Sequence, residues 1–125
     1  MDLKGKPVLL DIWASDCAAC EFLMPRLQNM HDRFAEQGLR VIAVASESVE
    51  LVNRYGEANG YTMLYADPEG RVQDALSVDL VPTTFLFDAD GNLLKRWEGA
   101  HPMPEYLEAL EEAGIETGAG MPDQR

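Results

Sequence analysis

The sequence is poor in cations, in histidine, in cysteine and in long apolar runs, and each shortage excludes something. Ten lysines and arginines stand against 22 aspartates and glutamates, giving a formal net charge of -12. A field of that sign repels phosphate backbones and anionic lipid, which rules out nucleic acid as a partner. No stretch approaches the roughly eighteen uninterrupted apolar residues of a membrane span, because Asp11 already breaks the first apolar run. Met1 to Pro7 holds Lys4 and Lys6, and only Val8, Leu9 and Leu10 precede that aspartate, so no signal-peptide core is present. The expectation is a cytosolic chain or one trimmed of its leader. Repeats and low-complexity segments are absent as well. At 125 residues one compact domain is the default, burying roughly two thirds of its extended-chain surface. Such a core needs neither disulfide nor metal staples, so the cysteines are free for chemistry.

Glycine and proline divide the chain into alternating strand-like and helix-like pieces, which points to an α/β fold. Val8 to Ala14 reads as a buried strand. Leu23, Leu27, Met30 and Phe34 then recur at helical spacing, with a stop near Gly38. Arg40 to Ser46 is a continuous apolar run of the kind buried in a parallel sheet, completing a right-handed βαβ unit. A second helix is expected over Ser48 to Asn59, with Ser48 as cap and Gly60 beyond its end. A short strand at Met63 to Tyr65, a turn at Asp67 to Gly70 and a short helix at Val72 to Leu76 follow. Thr83 to Phe87 and Leu93 to Glu98 flank Asp88-Ala89-Asp90-Gly91, an antiparallel hairpin signal. Pro104 opens a last helix stopping at Gly114. The domain is thus expected over residues 1–114, with 115–125 a frayed tail.

Cys17 and Cys20 are the only cysteines, three apart where the first strand hands over to the first helix. Positions i and i+3 are neighbours on a helix, which brings the two within disulfide range. So small a loop constrains the unfolded chain little, so the pair suits a redox switch better than a staple. At a helix start, unpaired N–H groups and the dipole favour the Cys17 thiolate, making it the nucleophile; Cys20, a turn deeper, would resolve. The alternatives are a buried, inert pair or part of a metal site. Two thiolates are too few ligands for zinc or copper, and His31 and His101 fit no zinc-finger spacing. A lone activated cysteine could also do peroxidatic chemistry, but no arginine or histidine neighbours Cys17 in the sequence.

Trp13-Ala14-Ser15-Asp16-Cys17-Ala18-Ala19-Cys20, Pro25 within the following helix, and Val81-Pro82-Thr83-Thr84-Phe85 together resemble the thioredoxin superfamily, and within it the TlpA-like thiol-disulfide oxidoreductases. The resemblance runs from about Gly5 to Gly114 and includes an inserted helix and short strand between Ser48 and Leu76. It implies a thioredoxin fold, a central mixed β-sheet flanked by helices, with the cysteines at the sheet's edge facing a cis-proline loop that contacts substrate. Pro82 matches that proline. Val81 would offer its backbone to an extended substrate segment, while Pro82 withholds an N–H and shapes the groove over Cys17. Pro25 removes a backbone bond to Glu21 and should kink its helix.

Two carboxylates stand out. Asp11 lies mid-strand between Leu10 and Ile12, where a charge is costly unless paired, and the second strand offers no cation on its buried run. Burial would raise its pKa and suit it to exchange a proton with Cys20; the family carries an aspartate at the matching place. Glu47, just past the second strand, matches an acid near the site in TlpA-like proteins, against a simpler role as helix N-terminal charge. Trp13 matches an aromatic that lines the site. Two departures from the family are Asp16, where an aromatic usually precedes the first cysteine, and the two alanines between the cysteines.

The function expected is a thiol-disulfide oxidoreductase acting as a reductant of protein disulfides. Cys17, Cys20, Asp11 and Glu47 would be catalytic, with Trp13, Asp16, Val81 and Pro82 at the substrate groove. The redox-active pair is itself the only cofactor expected, with no metal. The rival is a thioredoxin-like binding module or metallochaperone holding a metal such as Cu(I). The family resemblance places such domains outside the cytoplasm, in the periplasm or on the outer face of a membrane. Because Gly5-Lys6-Pro7 directly precedes the first strand, an excised or minimal domain is expected, with any anchor outside it.

Overall fold

The computed structural model describes residues 3–118. Strand β1 (Val8–Trp13) leads through a short connection to helix α1 (Ala18–Phe34) and a 3-10 turn at Ala35–Gln37. Strand β2 (Arg40–Ala45), helix α2 (Val49–Asn59), strand β3 (Leu64–Ala66) and the short helix α3 (Arg71–Ala75) follow. Strands β4 (Thr83–Phe87) and β5 (Leu93–Glu98) and helix α4 (Met103–Glu112) complete the chain. The five strands form one mixed sheet in the order β3-β2-β1-β4-β5, with β1 central. β1 pairs in parallel with β2 and antiparallel with β4. The Asp88–Asn92 turn closes the β4–β5 hairpin, and the Asp88 carboxylate accepts from the backbone N–H groups of Asp90 and Asn92.

Alternation along β1 sorts the molecule into two layers. Leu9, Asp11 and Trp13 face the layer of α1 and α4, where Leu23, Met24, Leu27, Met30, Tyr106 and Leu110 are all fully buried. Fully burying such a side chain contributes about 1.5–3 kcal/mol, so this face holds α1 to the sheet. The helix runs on through Pro25, which lies on its exposed side. Ser48 caps α2 by accepting from the Leu51 N–H at 3.2 Å, and Gly60 ends it with φ 74°.

Ile12, Ile42, Val44, Val78 and Phe85 make a smaller cluster on the opposite face, covered partly by Val72 and Leu76. A groove of about 510 Å³ opens there between Leu10, Ile42, Val44 and Phe87 and the segment 3–6, remote from the cysteines' end of β1. Packed chain extends past the boundary expected at Gly114. Ile115 is buried in the main core, and Gln37 bonds both the N–H and the carbonyl of Glu116. Residues 119–125 of the expected tail lie outside the described residues. Among the described residues no helix is long and apolar enough to cross a membrane.

Candidate active site

The carboxyl end of the central strand delivers the chain to Cys17, which is the N-cap of α1. Its backbone is extended, and its sulfur accepts from the Cys20 N–H at 3.1 Å. A sulfur in that place receives one of the otherwise unpaired N–H groups of the first turn together with the helix dipole, both of which favour a thiolate. The two cysteines are joined as a disulfide with Cα atoms 5.2 Å apart. Cys20 is fully buried while Cys17 is partly exposed.

The loop before β4 faces the pair. The Val81 carbonyl oxygen lies 3.8 Å from Cys17 Sγ, and the Val81–Pro82 peptide bond is cis. Val81 is half-buried and Pro82 buried, its carbonyl accepting from the Gly99 N–H at 2.7 Å. Further bonds hold this loop: the Thr83 hydroxyl donates to the Leu80 carbonyl, and Arg96 donates to the carbonyls of Leu76 and Ser77 at 3.2 and 3.4 Å. Leu80 itself is 51% exposed beside the cysteines' partner loop.

Asp11 is fully buried, paired directly with Ala43 of β2 on one side and Thr84 of β4 on the other. Burial pushes its carboxyl up to about 8, opposed by the hydrogen bond that Thr84 Oγ1 donates to Oδ1 at 2.8 Å. The carboxyl therefore does have a polar partner, from β4 rather than from β2. Oδ2 is buried without a hydrogen bond in the protein.

Glu47 is half-buried, and its Oε2 accepts from both the N–H and the hydroxyl of Ser15, each at 3.1 Å. It thereby ties the end of β2 to the loop that delivers Cys17. Trp13, expected to line the substrate groove, is instead 1% exposed. Tyr55 of α2 packs on it at 4.9 Å between ring centroids, so its ring sits in the core beneath the site. Burial, followed by Tyr61 and the carboxylates of Glu21 and Glu47, raises the Tyr55 phenol above its ordinary value. Asp16 is exposed directly before Cys17. Among the described residues no three His, Cys, Asp or Glu side chains are grouped to hold a metal.

Ser15 and Thr84 stand inside the two motifs without a role of their own there, and Tyr55 and Arg96 were given none. The role of Thr84 emerges with the β1–β4 register, which places it opposite Asp11. Ser15 and Arg96 act on partners 32 and about 20 residues away, which no local pattern announces.

The ResA thiol-disulfide oxidoreductase of Bacillus subtilis is 34% identical over 96 residues, covering 75% of this chain and 54% of that protein. ResA of Halalkalibacterium halodurans is 30% identical over 115 residues, covering 88% of this chain and 65% of that protein. The chain thus spans between about half and two thirds of the length of these curated relatives. Among solved structures, the exposed lipoprotein thioredoxin Etrx1 of Streptococcus pneumoniae superposes with a TM-score of 0.78 at 28% identity, covering 89% of this chain and 87% of that one. StoA of Bacillus subtilis, at 22% identity and a TM-score of 0.75, covers 86% and 84% and supports the same thioredoxin fold. The model of the AhpC/TSA family matches residues 1–96, and with this fold the chain belongs to that family within the thioredoxin superfamily.

Proposed function

We propose that this chain is a thiol-disulfide oxidoreductase that reduces disulfides in partner proteins. One observation carries the reading: a bonded Cys17–Cys20 pair whose outer sulfur caps a helix, is partly exposed and lies 3.8 Å from the Val81 carbonyl, while its inner sulfur is buried. The AhpC/TSA membership and the ResA relatives support it.

In the reduced protein the Cys17 thiolate attacks one sulfur of the substrate disulfide. A new S–S bond forms to Cys17, and the other substrate sulfur leaves as thiolate. Cys20 then gives its proton to Asp11 and attacks Cys17, releasing the second substrate thiolate and closing the Cys17–Cys20 bond. Two electrons have passed to the substrate. In its carboxylate form Asp11 suits the acceptor role because it is buried on the sheet face that packs against α1, and burial raises its pKa to about 8, making it a far stronger base than an exposed carboxylate. Glu47 supports the nucleophile by fixing Ser15, and the backbone around Val81 receives an extended segment of substrate. The site is proposed to work on the extracytoplasmic side, in keeping with the exposed lipoprotein thioredoxin Etrx1 among its structural neighbours.

Role assignment is tested by Cys20→Ser, which should accumulate a mixed disulfide through Cys17, and Cys17→Ser, which should not. Labelling of Cys20 ahead of Cys17 by a limiting alkylating reagent would overturn the assignment. If Cu(I) titration protected both thiols from that reagent and the protein moved no electrons to a disulfide substrate, the metallochaperone reading would replace it.

A further inference from the structure

The two oxygens of Asp11 have unequal surroundings. Oδ1 accepts from Thr84 Oγ1 at 2.8 Å, across the ladder where the two residues are direct antiparallel partners. Oδ2 is equally buried and meets no donor from the protein. Thr84 is fully buried too, as is Tyr106 of α4, whose hydroxyl accepts from the His101 backbone N–H at 3.0 Å. The Thr84 hydroxyl is the polar neighbour of the phenol, and with Thr84 Oγ1 donating to Asp11 the phenol's own proton is the one free to lie between them. A hydroxyl has a single proton. If Thr84 receives the proton of Tyr106, its own goes to Asp11, and the donors run in order from Tyr106 to Thr84 to Oδ1.

The layer packed on Asp11 supplies little else that titrates. The core cluster on this face holds Cys20 of α1, its sulfur bonded to Cys17, and Tyr106 of α4, whose phenol feels the Asp11 charge, while β2 places the methyl of Ala43 opposite Asp11. The buried polar or charged side chains among the described residues are Asp11, Thr83, Thr84 and Thr117, with no buried cation.

We propose that Thr84, aimed by Tyr106, is a positioning residue for Asp11: its hydroxyl occupies Oδ1 and so leaves Oδ2 as the oxygen that takes up and returns the proton of Cys20. The inference rests on the relay role of Asp11 proposed above. The step is balanced: the Cys20 thiol becomes a thiolate as the ionised carboxylate takes its proton at Oδ2, and Oδ2 returns the proton when a donor dithiol, itself oxidised to a disulfide, reduces the Cys17–Cys20 bond and Cys20 leaves as thiolate.

The test reads Asp11 itself, by carbon NMR of its side-chain carboxyl across pH in the reduced protein. Thr84→Val keeps shape and removes the donor, and the midpoint should move up by about one to two pH units. Thr84→Ser should restore it. Tyr106→Phe, which frees the Thr84 hydroxyl to turn, should give a smaller upward shift. An unmoved midpoint in Thr84→Val, or a Thr84→Ser midpoint that stays with Thr84→Val, overturns the proposal. Should Thr84→Val fail to fold, an unmoved midpoint in Tyr106→Phe overturns it equally. Turnover of Asp11→Asn tests the relay separately. Unchanged turnover there with a shifting midpoint in the Thr84 variants sinks the relay and leaves the control of Asp11 by Thr84 standing.

Discussion

Arg96 donates to the carbonyl of Ser77 at 3.4 Å, and Ser77, with φ 55°, is a non-glycine residue held in the left-handed region. The same guanidinium donates to Leu76, pairs with Glu98 at 3.3 Å and lies 5.0 Å from the centre of the Phe85 ring. β5, the edge strand beside β4, therefore holds the connection that ends in Val81 and Pro82. A left-handed serine costs about 1 kcal/mol or more unless its surroundings hold it. Arg96→Met keeps the aliphatic stem on Phe85 and removes the donors. For a protein disulfide substrate, KM should rise about two- to five-fold with kcat unchanged, since about 1 kcal/mol of loop order is lost. Steady-state kinetics with a small disulfide as control checks this. An equal effect on both substrates would argue against a role in substrate docking.

The buried carboxyl sets a pH dependence of stability whose sign is definite. Asp11 titrates at about 8 in the folded protein against 3.8 as its ordinary value. Between those pH values the folded state holds a proton that the unfolded state has lost, so stability falls as pH rises through this window. Asp11→Asn should abolish that slope. Its gain over the parent should be small near pH 4 and grow to several kcal/mol, on the order of five, by pH 9. Urea unfolding of both proteins at pH 5, 7 and 9 measures it; parallel curves would mean that Asp11 is not buried in solution as it is here.

Glu47 holds Ser15 through one oxygen, taking both the N–H and the hydroxyl. Glu47→Ala leaves that half-buried pair of donors without an acceptor, at a cost of about 1–3 kcal/mol, whereas Glu47→Gln retains a carbonyl acceptor and should lose less than half as much. Thermal unfolding ranks the two. If Glu47→Gln proves the worse, the charge matters more than the tie to Ser15.

Much of the fold was legible because its signals are local. The apolar runs at Val8 and Arg40, the cap at Ser48, the stop at Gly60 and the Asp-Gly turn after Phe87 each act within a few residues, and the elements formed there. The cysteine pair was legible for the same reason. Tertiary pairing was not. The partner of Asp11 was sought on β2, yet it came from β4, 73 residues away, because only the strand order puts Thr84 beside it. Trp13, matched to an aromatic that lines the site, packs in the core against Tyr55, and Ile115, assigned to the tail, is buried in the core.

Asp16 is an exposed carboxylate placed directly before the helix-capping sulfur. The first turn of α1 favours a thiolate at Cys17, and the neighbouring charge opposes it. At about 7 Å and an effective dielectric of about 40, Coulomb's law gives roughly 1 kcal/mol against the thiolate, somewhat under one pKa unit. A less stable thiolate makes the reduced form less stable and the disulfide more favoured, which suits a reductant. Asp16→Asn should therefore lower the titration midpoint of Cys17 and make the reduction potential less negative. Both shifts should shrink as salt screens the exposed charge. Thiolate absorbance against pH, together with equilibration in glutathione buffers, measures the two quantities on the same pair of proteins. A midpoint that stays or rises in Asp16→Asn would mean that the helix start, and not the residue before it, sets the character of Cys17.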